Sequence, residues 1–206
     1  MTNMENVIMG GVVLAIVFAL IMWFFKAQTE DNSNNENVKK QREDDGVSKM
    51  LAALARYASL HDFTLITPAK VQSGEKSTDL DALLVTYAGV VGIKCIGYNG
   101  QIYANPGDAT WLRVAGEQRT EFTNPFDQRA ADVRVLRDVL ANAKQRTVKI
   151  ECLTVFTSKE ASLAVPKSMA VLRSKDLTSL LGKEKYLADN GVDKTAVVEA
   201  LKAAMQ

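Results

Sequence analysis

The sequence predicts an α/β domain with a mixed sheet, preceded by one transmembrane helix. Three observations carry this expectation. Ala82–Tyr87 and Val90–Ile96 are short runs rich in branched residues and bounded by glycine, the pattern of strands buried on both faces. Apolar residues at helical spacing stand on either side of them, around residues 47–58 and 126–140. At the N-terminus, Val7–Phe25 is apolar throughout and carries no charge.

As a helix, Val7–Phe25 would span roughly 28 Å, close to the ~30 Å hydrocarbon core of a bilayer. A cleaved signal peptide fits less well. Glu5 precedes the run with no Lys or Arg, and the run ends in Trp23-Phe24-Phe25 rather than in small residues. Lys26, Lys39, Lys40 and Arg42 follow it, so the positive-inside tendency places the C-terminal domain in the cytoplasm. Gly11, Ala15 and Ala19 recur at four-residue spacing, which would let two such helices approach and the chain self-associate; the same residues are also common in single spans. Residues 27–45 are rich in Asn, Glu and Asp and cannot bury enough surface to order themselves. The expected organisation is an anchor over 1–26, a polar tether over 27–45 and a domain over 46–206.

The domain opens with a helix whose face is Val47, Met50, Leu51, Leu54, Tyr57 and Ala58. A strand near Phe63–Thr67 ends at Pro68, and Ser73–Thr78 is expected to be a polar loop. After the two central strands, Asn99-Gly100 signals a hairpin returning through Gln101–Tyr103. Asn105–Asp108 turns the chain into a pair around Trp111–Val114 and Arg119–Phe122. Asn124-Pro125 caps a second helix to about Lys144, with Phe126, Ala130, Val133, Leu136 and Leu140 as its apolar face. Val148–Phe156 is a last central strand. A short strand at Met169–Leu172, a helix near Leu177–Leu181 and a final helix capped by Asp193 complete the domain, the last carrying Val197, Val198, Leu201 and Met205.

Residues 46–206 hold 21 Lys/Arg against 17 Asp/Glu, too slight a basic excess for a dedicated nucleic-acid binder. Cys95 and Cys152 both fall in expected strands and suit a reducing compartment better than a disulfide framework. His61 is the only histidine, and no glycine spacing makes a phosphate loop.

The phrases DALLVTYAGVVGIKCIGYNGQIY from Asp81, Trp111, NPFDQ at Asn124–Gln128, LTVFTS at Leu153–Ser158 and DLTSLL from Asp176 together resemble the NERD (nuclease-related) domain. The resemblance covers nearly all of residues 46–206. It implies a bacterial protein at the inner (cytoplasmic) membrane, with a restriction-endonuclease-like core ordered helix, strands, helix, strand and a helical tail. In the active family pattern an aspartate opens the first central strand, a Glu-x-Lys triplet lies on the next, and a Gly-Glu pair begins the first helix. The chemistry is phosphodiester cleavage by a divalent ion such as Mg or Mn, held by hard oxygen ligands and assisted by the lysine.

Mapped onto this chain, Asp81 takes the aspartate position, and Gly46-Val47 takes that of the Gly-Glu pair. Without gaps the glutamate falls on Lys94 and the lysine on Ile96. Slid by two residues, Lys94 becomes the lysine and Gly92 takes the glutamate's place. Neither register supplies a second carboxylate, and an ammonium in a ligand position would repel a divalent ion. Asp81 is either a residual ligand or a polar residue at a strand start. Lys94 either pairs with Asp81 or points to solvent. Gln128 matches the family's helix glutamine, either touching a phosphate or holding the helix. Arg129, Arg134 and Arg137 are candidate polyanion contacts, though interspersed Asp127, Asp132 and Asp138 favour an ordinary solvated face.

The expectation is therefore a membrane-anchored, catalytically inactive nuclease-like domain that needs no cofactor. It would serve as a binding or assembly module in a membrane-protein complex, with another copy of itself, or on nucleic acid held without cleavage. The alternative is an active metal-dependent nuclease in which Asp79, Glu121 or Glu151 supplies the missing acid.

Overall fold

The computed structural model describes residues 45–166, 169 and 171–205, within a compact unit spanning Glu43–Gln206. The expected anchor (Val7, Gly11, Ala15, Ala19 and Phe25 among its residues) and all but the last residue of the expected tether lie outside the described residues. Among the described residues no helix is long and apolar enough to cross a membrane.

A five-stranded mixed sheet forms the centre, in the order β1-β4-β5-β9-β11. Its strands are β1 (Thr64–Ile66), β4 (Ala82–Val85), β5 (Gly89–Ile96), β9 (Lys149–Phe156) and β11 (Leu172–Arg173). The first three pair antiparallel, whereas β5, β9 and β11 run parallel. All four residues of β4 and the first five of β5 are buried, as their apolar runs require. Helix α1, described over 45–60, packs Met50, Leu54 and Ala58 against Ala82, Leu84, Val91 and Ile93 on one face. Gly46 lets its start lie against the end of β9, since a Cβ there would stand 3.0 Å from the Thr157 carbonyl oxygen. Helix α3 (Ser174–Leu181) adds Leu177 and Leu181 to this face.

The opposite face is covered by α2 (Pro125–Asn142) and α5 (Lys194–Ala203). Leu136, Val139, Leu140, Val197 and Leu201 meet Leu83, Val85 and Val90 there. Burying each of these side chains contributes about 1.5–3 kcal/mol. Asn124 caps α2 by accepting the Phe126 N–H at 2.9 Å, and Asp193 caps α5 by accepting the Ala196 N–H at 3.0 Å. Pro125 occupies the first helical turn, where a missing N–H costs nothing.

Four expectations are corrected. Ser73–Thr78 is not a loop but the tip of a hairpin, β2 (Ala69–Ser73) against β3 (Lys76–Leu80). Ala69, Val71, Thr78 and Leu80 point inward while polar residues alternate outward, and Gly74 supplies the turn at φ 60°. The strand after Asn99, β6 (Gly100–Tyr103), does not fold back on β5. It enters a second sheet ordered β10-β6-β7-β8, with β7 (Thr110–Ala115), β8 (Gln118–Thr123) and an unforeseen β10 (Ala161–Ala164). Gly100, at φ 85°, lies so close to β7 that a Cβ would sit 2.4 Å from the Val114 carbonyl oxygen, so this glycine serves sheet packing. The buried face of α2 is rotated from the expected one: Ala130 is exposed, while Val135, Val139 and a charged residue, Asp132, are buried. The last sheet strand is only Leu172–Arg173, and a short helix α4 (Glu184–Leu187) follows α3.

Candidate functional site

Register sets the site. Ala82 pairs with Ile93, and the Asp81 N–H donates to the Ile93 carbonyl at 2.9 Å. Asp81 itself stands just before β4, outside the paired register, while the next residue along β5, Lys94, pairs with Thr154 on β9. Side chains directly opposite in a sheet share a face. Here that is the α2 face, which Leu83, Val90 and Cys152 also occupy. Lys94 and Thr154 thus form a row, and the Thr154 hydroxyl donates to the Pro125 carbonyl in the first turn of α2 at 3.4 Å.

Asp81 and Lys94 are not partners. One carboxylate oxygen of Asp81 accepts the Cys95 backbone N–H at 2.6 Å. The Lys94 ammonium donates to the Asp79 backbone carbonyl at 2.8 Å, tying the centre of β5 to β3. The expected internal salt bridge is replaced by these two backbone contacts, because the exit of β3 brings a carbonyl within reach of the lysine. Ile96, two residues further, is packed with Trp111, Phe156 and Phe126 and has no polar role.

The room beside Lys94 is filled. A Cβ on Gly92 would stand 2.8 Å from Cys152 Sγ and 2.9 Å from Leu80 Cδ1. Burial pushes the Cys152 thiol up to about 12, helped by the negative charge of Asp132. Burial raises Cys95 as well, with the neighbouring Asp81 adding to it. Both thiols are free and lie on opposite faces of the sheet, in separate core clusters.

Gln128 is exposed and turns back along its helix, donating to Asp132 Oδ1 at 3.3 Å. Asp132 is 4% exposed, and the buried Thr78 hydroxyl donates to the same oxygen at 2.7 Å. No periodicity argument could have singled out this pair, since the aspartate sits among charged helix residues and the threonine lay in the supposed loop. The three arginines separate. Arg134 is exposed. Arg137 is spent on structure, donating to the Val148 carbonyl at 2.6 Å and the Arg146 carbonyl at 3.3 Å. Arg129 is half-buried with its guanidinium 3.6 Å over the Phe126 ring, and burial lowers its pKa.

The displaced acids stand apart. Asp79 is exposed on β3, Glu121 is exposed on β8 of the second sheet, and Glu151 is ion-paired with Lys185 at 3.0 Å toward the start of β9. Among the described residues no three His, Cys, Asp or Glu side chains gather into a metal-ligating group. One carboxylate already bonded to a backbone N–H, with a lysine rather than a second acid on the neighbouring strand, does not match the several oxygen donors a divalent ion takes.

The sequence profile described as NERD, nuclease-related domain, matches residues 39–157. The chain belongs to the nuclease-related domain family. The match contains α1, the two central strands, the second sheet up to β8, α2 and β9, and so Asp81, Lys94 and Thr154. It ends before the DLTSLL phrase at Asp176, which lies outside it. No curated protein and no solved structure matches the chain significantly.

Proposed function

We propose that this nuclease-related domain, on a restriction-endonuclease-like core, binds at the family's former cleavage site without cutting. It works as a membrane-tethered binding or assembly module, held at the cytoplasmic face of a bacterial inner membrane by Val7–Phe25. One observation carries the loss of cleavage: the only place a glutamate could stand two residues before Lys94 is Gly92, and its side-chain room is taken by Cys152 and Leu80. Asp81 is left without a second acid, and its carboxylate serves the β5 backbone instead. Lys94 and the half-buried Arg129, near the start of α2, leave cations here without the metal they would assist, and Arg134 is exposed further along the helix. A polyanion held there would meet positive charge and no bound nucleophile. A protein complex of the membrane is the other class of partner that suits a tethered, non-cutting domain.

The test incubates purified full-length protein with magnesium or manganese and labelled DNA and RNA, beside an Asp81→Ala variant. Cleavage and binding are recorded from the same samples. Binding without cleavage supports the reading on nucleic acid, and neither directs it to protein partners. Cleavage that Asp81→Ala abolishes overturns it and revives a metal-dependent nuclease with a relocated acid.

A further inference from the structure

At the opposite end of β5 and β9 from Lys94 and Thr154, the strand starts open onto a cavity of about 510 Å³. Its wall carries three cations, Arg137, Lys149 and Lys185, and one carboxylate, Glu151. Each is placed by the fold. Arg137 is fixed by its bonds to the Val148 and Arg146 carbonyls. Lys149 begins β9 and is exposed, so it reaches the mouth without a burial cost. Lys185 comes from α4, ion-pairs with Glu151 and lies 4.4 Å over the ring of Tyr186. Tyr186 also lines the cavity, is 4% exposed, and its hydroxyl has no hydrogen-bond partner of good geometry. That hydroxyl stands beside the Lys185 ammonium and the Glu151 carboxylate, so it lies within the same charged cluster at the cavity wall. Gly89 forms part of the wall at φ 151°, and a Cβ there would be 2.3 Å from the Lys149 carbonyl oxygen.

The geometry points to a second binding site, for a small phosphate monoester. Three cations against one carboxylate leave an excess of two positive charges, which a phosphate monoester at ≈ −1.5 to −2 near neutral pH balances and a carboxylate does not. The cavity is larger than phosphate alone needs, and its apolar lining from Val90, Val91 and Ile150 suits the organic part of such a molecule. On binding, the phosphate would share Lys185 with Glu151, so that carboxylate opposes the ligand. This site is independent of the binding row proposed above.

Inorganic phosphate, ribose 5-phosphate and ribose are titrated into the full-length protein by calorimetry. Ribose 5-phosphate should bind more tightly than phosphate, and ribose should not bind. Lys149→Gln and Lys185→Gln, both at exposed positions, should each weaken ribose 5-phosphate about tenfold while leaving the circular dichroism unchanged. Glu151→Gln should tighten it, an effect that a merely structural ion pair would not produce. The proposal is overturned if neither phosphate binds at millimolar concentration. It is equally overturned if ribose binds as well as its phosphate, or if the three substitutions leave affinity unmoved.

Discussion

Gly92→Ala is the substitution that tests the argument for a closed site most directly. The added Cβ would meet Cys152 Sγ at 2.8 Å and Leu80 Cδ1 at 2.9 Å, both closer than side-chain carbons ordinarily approach. Overpacking a close-packed core in this way costs about 1–3 kcal/mol. Against it, alanine loses less backbone entropy than glycine on folding, a gain of about 0.4–1 kcal/mol. The net expectation is a loss of about 0.5–2 kcal/mol, or a melting temperature lower by about 2–4 °C per kcal/mol for a domain of this size. Cys152→Ala removes the sulfur that blocks the space and leaves a small cavity of its own. The double variant should therefore be more stable than the two single losses sum to, with a coupling of about 1 kcal/mol. Urea titrations of the four proteins, followed by far-ultraviolet circular dichroism, give all the terms. Gly92→Ala at wild-type stability or above would refute the reasoning, because the space would then be open to a side chain. So would a penalty that Cys152→Ala leaves unchanged.

Asp132→Ala should cost about 1–3 kcal/mol, because the Thr78 hydroxyl then stays buried without its acceptor; Thr78→Val in the same background should add little further loss in chemical denaturation. Asp62 is held below the ordinary carboxylate range by the Lys194 ammonium and the Tyr87 hydroxyl. A depressed carboxylate stabilises the fold above its unfolded pKa of ~3.9 and loses that contribution as pH falls through its lower folded value. Asp62→Asn should therefore narrow the gap to wild type between neutral pH and strongly acidic pH in thermal melts. Burial keeps both thiols protonated, so neither Cys95 nor Cys152 should react with iodoacetamide in the native protein near pH 8, and both should react in denaturant, as intact-mass measurement would show.

The central strands were legible because burial on both faces leaves short runs of branched residues, and the flanking glycines and their length set them apart from a buried helix. The capped helices were legible for a local reason too: Asn124-Pro125 and Asp193 carry their own start signals. The hairpin of β2 and β3 was missed because its outward residues, Lys70, Gln72, Ser77 and Asp79, dominate the composition and hide the alternation of Ala69, Val71, Thr78 and Leu80. Asn99-Gly100 was misread because a turn signal says that the chain bends, not which sheet it joins. Within the site, Asp81 and Lys94 were singled out from the sequence, and the fold gives each a partner other than the other. Those partners were not singled out, because both are backbone groups, the Cys95 N–H and the Asp79 carbonyl, and a sequence does not announce which carbonyl a lysine will meet. Nor could spacing reveal that Cys152 fills the room beside Gly92, which depends on the parallel register of β5 and β9.

The segment beyond residue 157 enters the same core as the family's own strands. Val197 and Leu201 of α5 touch the cluster built by Leu83, Val90 and Leu136, and the Gln72 N–H donates to the Ala204 carbonyl at 2.9 Å. The smallest piece able to fold is accordingly longer than the stretch by which the family is recognised. A fragment cut at the recognised boundary would expose one side of its own interior to water and aggregate. Expression and truncation should follow the C-terminal helix rather than the family's limit, and a tag joined directly to Met205 would press on β2, whose Val71 bridges to Met205.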